Sequence, residues 1–470
     1  MRTGVAEERM QALSVREVAV ATGGEASGPG DQTLSGVSID SRTLKPGELF
    51  VAIRGPRFDG HDYVHEAIAR GAAAVLVHRD LPAPPGMPAV RVPDTTRALG
   101  DLARARRAQA GIPLVAITGS TGKTSTKEMT AALAESLGPV LKTPGNLNNR
   151  YGLPLALLQL EARHRVAVLE LGMSAAGELR ALAAIAAPDV AVITNVSAAH
   201  LENFTSVRAI AEAKAEILEG IASDGVAVLN HDDPELRRVG EGRSGPVIWF
   251  GRSRRCDVSA ERWRGTIFGM RFSLRIAGRV LDVALPLAGH HHMGNFLAAA
   301  AAAHRLGVDP EAIAEGALRI RPAARRGHVL RLGHGVTLLD DSYNASPAAV
   351  VAAVAALDLA PRGRRVAFLG DMLELGASGP ERHERTGGQI AGHVDVLVGV
   401  GPLAARLLDG AERAGLPGSR CHRFEDAAAA AASAAELVAA GDAVLVKGSR
   451  GVSMERIADA LREHFGTAGE

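Results

Sequence analysis

The sequence predicts an α/β protein built of three α/β domains in series, and three observations carry that prediction. Its 470 residues fill three domains at roughly 150 each. Short β-branched runs alternate with helical segments from residue 34 onward, the order that builds mainly parallel sheets with right-handed crossovers. A glycine-rich turn at residues 118–125 joins a buried-type strand to a helix, which makes the central sheet one of the P-loop, mononucleotide-binding kind. The expected boundaries are 1–95, 96–322 and 323–470.

The first domain alternates a strand at 48–53, a helix at 63–70 stopped by Gly71, and a strand at 73–78. A proline-rich surface loop follows. Asp94 then offers an N-cap to a helix carrying Ala98, Leu99 and Leu102 on one face. The second domain opens on the apolar strand 114–117, the glycine turn, and a helix over 124–137. Further strands are expected at 166–169, 190–193 and 226–229. Between 246 and 287 the period changes to two: Phe272, Leu274 and Ile276 precede an Ala-Gly turn, and Leu281, Val283 and Leu285 follow it. That pattern reads as a small antiparallel appendage, after which a helix over 293–306 closes the domain. The third domain, Rossmann-like and doubly wound, has strands at 336–339, 365–369, 394–400 and 443–446 separated by helices.

Composition narrows the function. The 53 basic residues balance 52 acidic ones, leaving net charge +1, so no excess basic field exists to hold a nucleic-acid backbone. The two cysteines, Cys256 and Cys421, lie far apart without a CxxC, which argues against a disulfide framework or a zinc module and fits a reducing cytoplasm. Glu7 and Glu8 stand where a signal peptide needs an apolar core. The longest apolar stretches are broken by Pro188, Asp189, Ser433 and Glu436, so no membrane span is expected. A cytoplasmic enzyme that works as a monomer is the expectation.

The sharpest local feature is Thr118-Gly119-Ser120-Thr121-Gly122-Lys123-Thr124-Ser125. Backbone N–H groups of such a turn and of the helix N-terminus wrap phosphate oxygens, Lys123 supplies a point charge, and Thr124 offers a hydroxyl to magnesium. The strict eight-residue motif would need glycine at position 117, which is Ile117, so this is the shorter GxxGK[ST] form. An incidental glycine turn is the bland alternative, and the strand and helix flanks speak against it. Open-sheet logic places partners at the carboxyl ends of neighbouring strands: Glu170, Asn195 and, soon after, His200. A glutamate there suits magnesium, a hard cation that takes oxygen ligands and substrate phosphates. Spacing alone does not separate His200 the metal contact from His200 the loop histidine. Lys214, among Glu212, Glu216 and Glu219, reads from spacing alone as part of a solvated, salt-bridged helix. Consecutive residues of His290-His291-His292 point in different directions, which makes joint metal capture improbable. The KGSRG segment at 447–451 reads either as a ligand loop or as a plain turn after a buried strand.

These motifs resemble, in order and over nearly the whole chain, those of the Mur ligases: GSTGKTS, TPGNLNNRYGLPLAL, VLELGMSAAGEL, ITNVSAAHLENF, AKAEIL, LNHDDP, GHHHMGNFLAAAAAA, LLDDSYNASP, FLGDMLELG and VLVKGSRGVSMERI. The resemblance implies an ATP-dependent ligase of peptidoglycan stem-peptide synthesis. DDSYNASP and GDMLELG are similar to the branch that adds D-alanyl-D-alanine to UDP-N-acetylmuramoyl-tripeptide. It implies ATP and Mg2+ as cofactors, with magnesium sites at Thr124, Glu170 and His200 and at Lys214, which matches a family lysine that becomes carbamylated. It also implies that Ser38, Asp40, Ser41 and Arg42 meet the uridine-nucleotide end, that Asn146 and Asn149 line the substrate cleft, and that Asn344 meets the dipeptide. On the nucleotide, Asn295 matches the residue near adenine, Arg326 an arginine reaching in from the third domain, and Asp341 the carboxylate near the ribose. Three positions depart from the family pattern: His292 and Ser346 replace asparagines, and Arg325 replaces a glycine.

The implied chemistry has two steps: the stem-peptide carboxylate attacks the γ-phosphate of ATP to form an acyl phosphate, then the dipeptide amine displaces phosphate. Lys123, His200 and Lys214 form the expected catalytic set, and closure of the third domain would exclude water from the acyl phosphate. A sister ligase that adds the third stem residue, or a folylpolyglutamate-type ligase, is the nearest alternative. The sister's Asp-Asn-Pro-Arg motif is absent here, and the N-terminal domain with DDSYNASP speaks against both. A non-catalytic nucleotide-binding regulator is the alternative from another class.

Overall fold

The computed structural model describes residues 13–79, 86–198, 202–361 and 363–467. The strands form three sheets of five, nine and six strands. The chain divides into two compact units: Met1–Thr118, Leu137–Ala191 and Ala215–Val226 make one, and Gly119–Ser136, Val192–Lys214 and Ala227–Glu470 the other.

In the first unit the five-stranded sheet runs Glu25–Ser27, Ala89–Arg91, Ala74–Val77, Leu49–Val51, Val37–Ser38, parallel except for the first pair. Leu49 and Val51 pack with Val15, Val18 and Leu99, whereas Phe50 between them packs with Val64, Ala67 and Val75. Side chains alternate along a strand, so this one segment builds a core on each face of the sheet. The helix expected at 63–70 begins as a 3-10 turn at Gly60–Tyr63 and becomes α-helical over Val64–Ala69. Asp94 caps the helix Thr95–Ala110, its carboxylate accepting the N–H groups of Thr96 and Arg97, and Gly111 ends that helix in the left-handed region. The strands Val140–Lys142, Val166–Glu170 and Leu114–Thr118 pair in parallel in that order. All residues of the last two are buried: their apolar runs require it, and the polar Thr118 and Glu170 at their carboxyl ends are buried with them.

In the second unit, helix Lys123–Ala134 packs against helix His290–Arg305. Strands Val226–Asn230, Val247–Gly251 and Val258–Thr266 are parallel neighbours, and an antiparallel meander continues through Gly269–Ile276 and Arg279–Leu285. The period-two segment is therefore antiparallel as expected, and it extends the sheet because Val258 and Ser259 pair with Phe250 and Gly251. Its turn has Ala277 and Gly278 at φ 49° and 76°, the paired positive values that match the twist of a tight hairpin.

The six-stranded sheet is ordered His328–Arg331, Thr337–Asp341, Ala443–Lys447, Arg365–Gly370, Val396–Val400, Cys421–Phe424, with only the first pair antiparallel. Leu339, Leu369 and Leu445 face the helices Pro347–Leu357, Gly379–Ile390 and Ala404–Arg413. Leu338, Phe368 and Val446 face Ala427–Leu437 and Glu455–Phe465 on the other side. The chain leaves Asp341 and Gly370 toward one face and leaves Lys447, on the strand between them, toward the other. Such a switch point opens a crevice at the carboxyl ends of the strands, where ligands of open α/β sheets bind.

Candidate active site

Two glycines decide the shape of the loop between strand Leu114–Thr118 and helix Lys123–Ala134. Gly122 sits at φ 79°, and a Cβ on it would lie 2.2 Å from Asn295 Oδ1; a Cβ on Gly119 would lie 1.9 Å from Thr194 Oγ1. Only glycine fits that approach. The loop is held from behind by residues 194–197. Asn195 Oδ1 accepts from the Thr121 amide (3.0 Å) and hydroxyl (3.1 Å), its Nδ2 donates to the Thr121 carbonyl (3.0 Å), and Thr194 Oγ1 donates to that carbonyl at 2.6 Å. Ser120 N–H donates to the Asn195 carbonyl at 2.9 Å, and Ser120 Oγ bridges the Ser197 carbonyl and amide. Thr121 through Ser125 are half-buried, so the first-turn amides of this 12-residue helix stand at an accessible N-terminus, where an anion is stabilised. Lys123 Nζ donates to the Gly119 carbonyl at 2.8 Å, which folds its side chain over the loop.

Lys214 departs from the solvated reading that its neighbours suggested. It is 1% exposed, and burial, reinforced by the positive charge of Lys123, holds its ammonium well below the usual lysine range. The nearby glutamates are engaged elsewhere: Glu212 with Arg208, Glu219 with Arg180, and Glu216 as acceptor of the Gly177 amide. Among the described residues no ion pair reaches Lys214.

Helix His290–Arg305 presents Asn295, 7% exposed, to the loop. The three histidines at its start have different neighbours: His290 stacks on Trp263, His291 lies in the field of Asp341 and Lys447, and His292 abuts Gly327. Burial pushes His291 down to about 4, with Asp341 opposing and Lys447 and His290 adding; burial holds His292 well below its usual range. Both rings are therefore neutral near pH 7. Among the described residues, no group of three or more His, Cys, Asp or Glu side chains is arranged to hold a metal ion.

At the switch point of the six-stranded sheet, Lys447 is 3% exposed and donates to Asp341 Oδ2 (2.6 Å) and to the Asn344 carbonyl (2.8 Å). It thereby ties together two residues named from the sequence. The Arg326 guanidinium stacks on Tyr343, 4.0 Å from the ring centroid. Arg325 adopts φ 59° and donates to Asp459 at 3.1 Å. Glycine adopts this left-handed backbone without strain, whereas a side chain in it carries a penalty of about 1 kcal/mol. Ser346 occupies the N-cap position of Pro347–Leu357 in extended backbone, but its buried hydroxyl makes no capping bond and has no hydrogen-bond partner among the described residues.

In the first unit Glu170 is 3% exposed; its Oε1 accepts from Asn148 Nδ2 at 2.8 Å, and its amide donates to Thr143 Oγ1. Asn148 lies within the TPGNLNNRYG segment, yet sequence reading singled out its neighbours. Of those, Asn146 is exposed and Asn149 Oδ1 accepts the Tyr151 and Gly152 amides just ahead of and at the start of helix Gly152–Leu157. Ser38 ends the strand Val37–Ser38, and Asp40, Ser41 and Arg42 lie in the loop and turn that follow it. Asp40 takes two contacts from Arg42 (2.9 and 2.7 Å), and that guanidinium holds its carboxyl below the usual range; Ser41 is buried. His200 lies outside the described residues.

Comparison with known proteins extends the geometry. Residues 33–107, 117–303 and 325–450 match the models "Mur ligase family, catalytic domain", "Mur ligase middle domain" and "Mur ligase, glutamate ligase domain". The UDP-N-acetylmuramoyl-tripeptide--D-alanyl-D-alanine ligase of Escherichia coli (strain K12) is 38% identical over 439 residues, 92% of this chain and 95% of that protein. MurF from Acinetobacter baumannii superposes with a TM-score of 0.88 at 33% identity, covering 97% of this chain and 100% of that one. MurF ligase from Thermotoga maritima in complex with ADP gives 0.81 at 32% identity, covering 92% and 97%.

Proposed function

This chain belongs to the Mur ligase family, and from that premise we propose that it joins D-alanyl-D-alanine to UDP-N-acetylmuramoyl-tripeptide, converting ATP to ADP and phosphate. It is an ATP-dependent ligase that makes the pentapeptide precursor of the peptidoglycan cell wall. The observation that carries this reading is that the relationship runs through the phosphate loop and on into the DDSYNASP and GDMLELG segments. The domains are taken as 1–95 for the UDP-substrate, 96–322 for ATP and 323–470 for the dipeptide-ligase end.

The first step brings a carboxylate to a polyphosphate. Lys123 and the helix N-terminus beside it offset that repulsion, Lys123 exchanging its bond to the Gly119 carbonyl for phosphate oxygens. The acyl phosphate then accepts the dipeptide amine, and phosphate leaves. Asn295, Arg326 and Asp341 position the nucleotide; Asn146, Asn149 and Asn344 serve the peptide substrates, and Ser38, Asp40, Ser41 and Arg42 the uridine end.

Thr124 and Glu170 are the hard oxygen donors that magnesium takes, and magnesium binds through few protein ligands together with substrate phosphates. Lys214 fits a cation site only when modified: a buried ammonium without an ion-pair partner repels a metal, whereas its neutral amine can add CO2, release a proton and become an oxygen-bearing carbamate. Thr124, Glu170, His200 and carbamylated Lys214 would hold the ion, which when bound supplies positive charge to the transferring phosphoryl group. Phosphate release by the purified chain, given ATP, Mg2+ and UDP-N-acetylmuramoyl-tripeptide, tests the reading: release should depend on added D-alanyl-D-alanine. ATP binding with no release under any of these conditions would favour the regulator.

A further inference from the structure

The carboxyl ends of Thr337–Asp341, Ala443–Lys447 and Arg365–Gly370 flank the switch point of the six-stranded sheet, and the loops that follow them are tied to one another. Lys447 binds Asp341 and the Asn344 carbonyl. Ser449 donates its amide to the Asp371 carbonyl and accepts the Leu373 amide on Oγ at 2.9 Å. Asp371, 5% exposed, accepts the Ala404 amide. His383 pins the same loop, its Nε2 accepting the Met372 amide at 2.9 Å. The charged side chains Lys447 and Asp371 are thus occupied within the fold, and Lys447 holds one oxygen of Asp341.

Arg450 differs from them. It is exposed, its guanidinium lies 5.6 Å from the Tyr343 ring centroid with Nη1 3.5 Å from the phenol oxygen, and among the described residues no carboxylate pairs with it. Tyr343 therefore has two arginines beside it, Arg326 and Arg450, next to Asn344. On the function proposed above, two separate anions reach this end of the protein, the nucleotide and the C-terminal carboxylate of the dipeptide. Arg326, stacked on the Tyr343 ring, is the residue assigned above to the nucleotide, and an arginine fork is the side chain best matched to a carboxylate.

We infer that Arg450 is the anchor for the terminal carboxylate of D-alanyl-D-alanine, with Tyr343 orienting it. This makes KGSRG a ligand loop, and it sets specificity: a substrate must carry an anion one dipeptide length from the reacting amine. The inference rests on the function proposed above.

The test crosses the protein charge with the substrate charge. Steady-state rates of the full chain and of Arg450→Ala and Arg450→Lys are measured with D-alanyl-D-alanine and with its neutral C-terminal amide. Arg450→Ala should raise the KM for the dipeptide at least about 30-fold and leave the KM values for ATP and UDP-N-acetylmuramoyl-tripeptide within about twofold; Arg450→Lys should recover part of the loss. The amide should be a poor substrate for the unaltered chain and as good as the dipeptide for Arg450→Ala. An unchanged dipeptide KM in Arg450→Ala, or an amide penalty equally large in both proteins, overturns the assignment. If the unaltered chain ligates no dipeptide at all, the proposed function fails and takes this inference with it; dipeptide ligation with an indifferent Arg450→Ala removes this inference alone.

Discussion

Replacing Asn195 with alanine tests whether the phosphate loop is shaped before the nucleotide arrives. The side chain makes three hydrogen bonds to Thr121, two accepted on Oδ1 and one donated from Nδ2. At about 1 kcal/mol net for each, the truncation removes about 3 kcal/mol of support from the loop. Four ties survive it: the Thr194 hydroxyl on the Thr121 carbonyl, the Ser120 amide on the Asn195 carbonyl, and the two bonds of Ser120 Oγ to the Ser197 carbonyl and amide. Part of the loss will therefore be recovered by relaxation, and with about 1.4 kcal/mol per factor of ten the Kd for ADP should rise between about 10- and 100-fold. Asn195→Asp keeps the two acceptor contacts and faces the Thr121 carbonyl with an anion, so it should bind ADP no better than Asn195→Ala. Titration calorimetry with ADP, alongside thermal melting to confirm the fold, reads both variants. A Kd within about threefold of the unaltered chain, in a folded Asn195→Ala protein, would refute the idea that this side chain shapes the loop.

Other perturbations separate the remaining roles. Lys123→Ala should lower turnover by at least about 1,000-fold while the melting temperature moves by only a few degrees; near-normal ligation would remove Lys123 from the chemistry. Stripping CO2 and bicarbonate should depress activity and adding bicarbonate should restore it, with 13C-bicarbonate giving a carbamate carbon signal that Lys214→Ala lacks; indifference to CO2 would exclude the carbamate. His383 is held below its usual pKa chiefly by burial, with Nδ1 donating to the Gly379 carbonyl and Nε2 accepting the Met372 amide. The unfolded chain then binds more protons than the folded one below about pH 6.5, so stability should fall as pH drops through that range. His383→Gln should flatten this slope by up to about one proton in denaturant melts, and an unaltered slope would mean that His383 does not contribute.

What could be read from the sequence was what is written locally. The strand Val190–Ile193 has the expected bounds, Asp94 caps the helix it precedes, and Ala277-Gly278 makes the tight turn between two period-two strands. Short or polar strands such as Glu25–Ser27, His328–Arg331 and Cys421–Phe424 carry no such mark, because partners distant in sequence pair them into sheets. The same holds at the site. The motif spanning Gly119 to Ser125 announces a phosphate loop, but the support from Asn195, the contact of Asn148 with Glu170 and the Lys447–Asp341 pair each join residues more than 20 positions apart. Lys214 is the clearest case. Its helix spells an alternating-charge surface, and only the packed structure shows the ammonium buried. Family resemblance supplied its importance before burial supplied a physical reason for it.

The measurement that bears most directly on the account is the mass of the product formed from UDP-N-acetylmuramoyl-tripeptide and ATP when D-alanyl-D-alanine and single amino acids compete in one reaction. One product is expected, the UDP-N-acetylmuramoyl-pentapeptide, heavier by the dipeptide less one water, with one phosphate released for each molecule formed. A tetrapeptide product carrying a single added residue, with the dipeptide left unused, would contradict it and assign the chain to a sister activity.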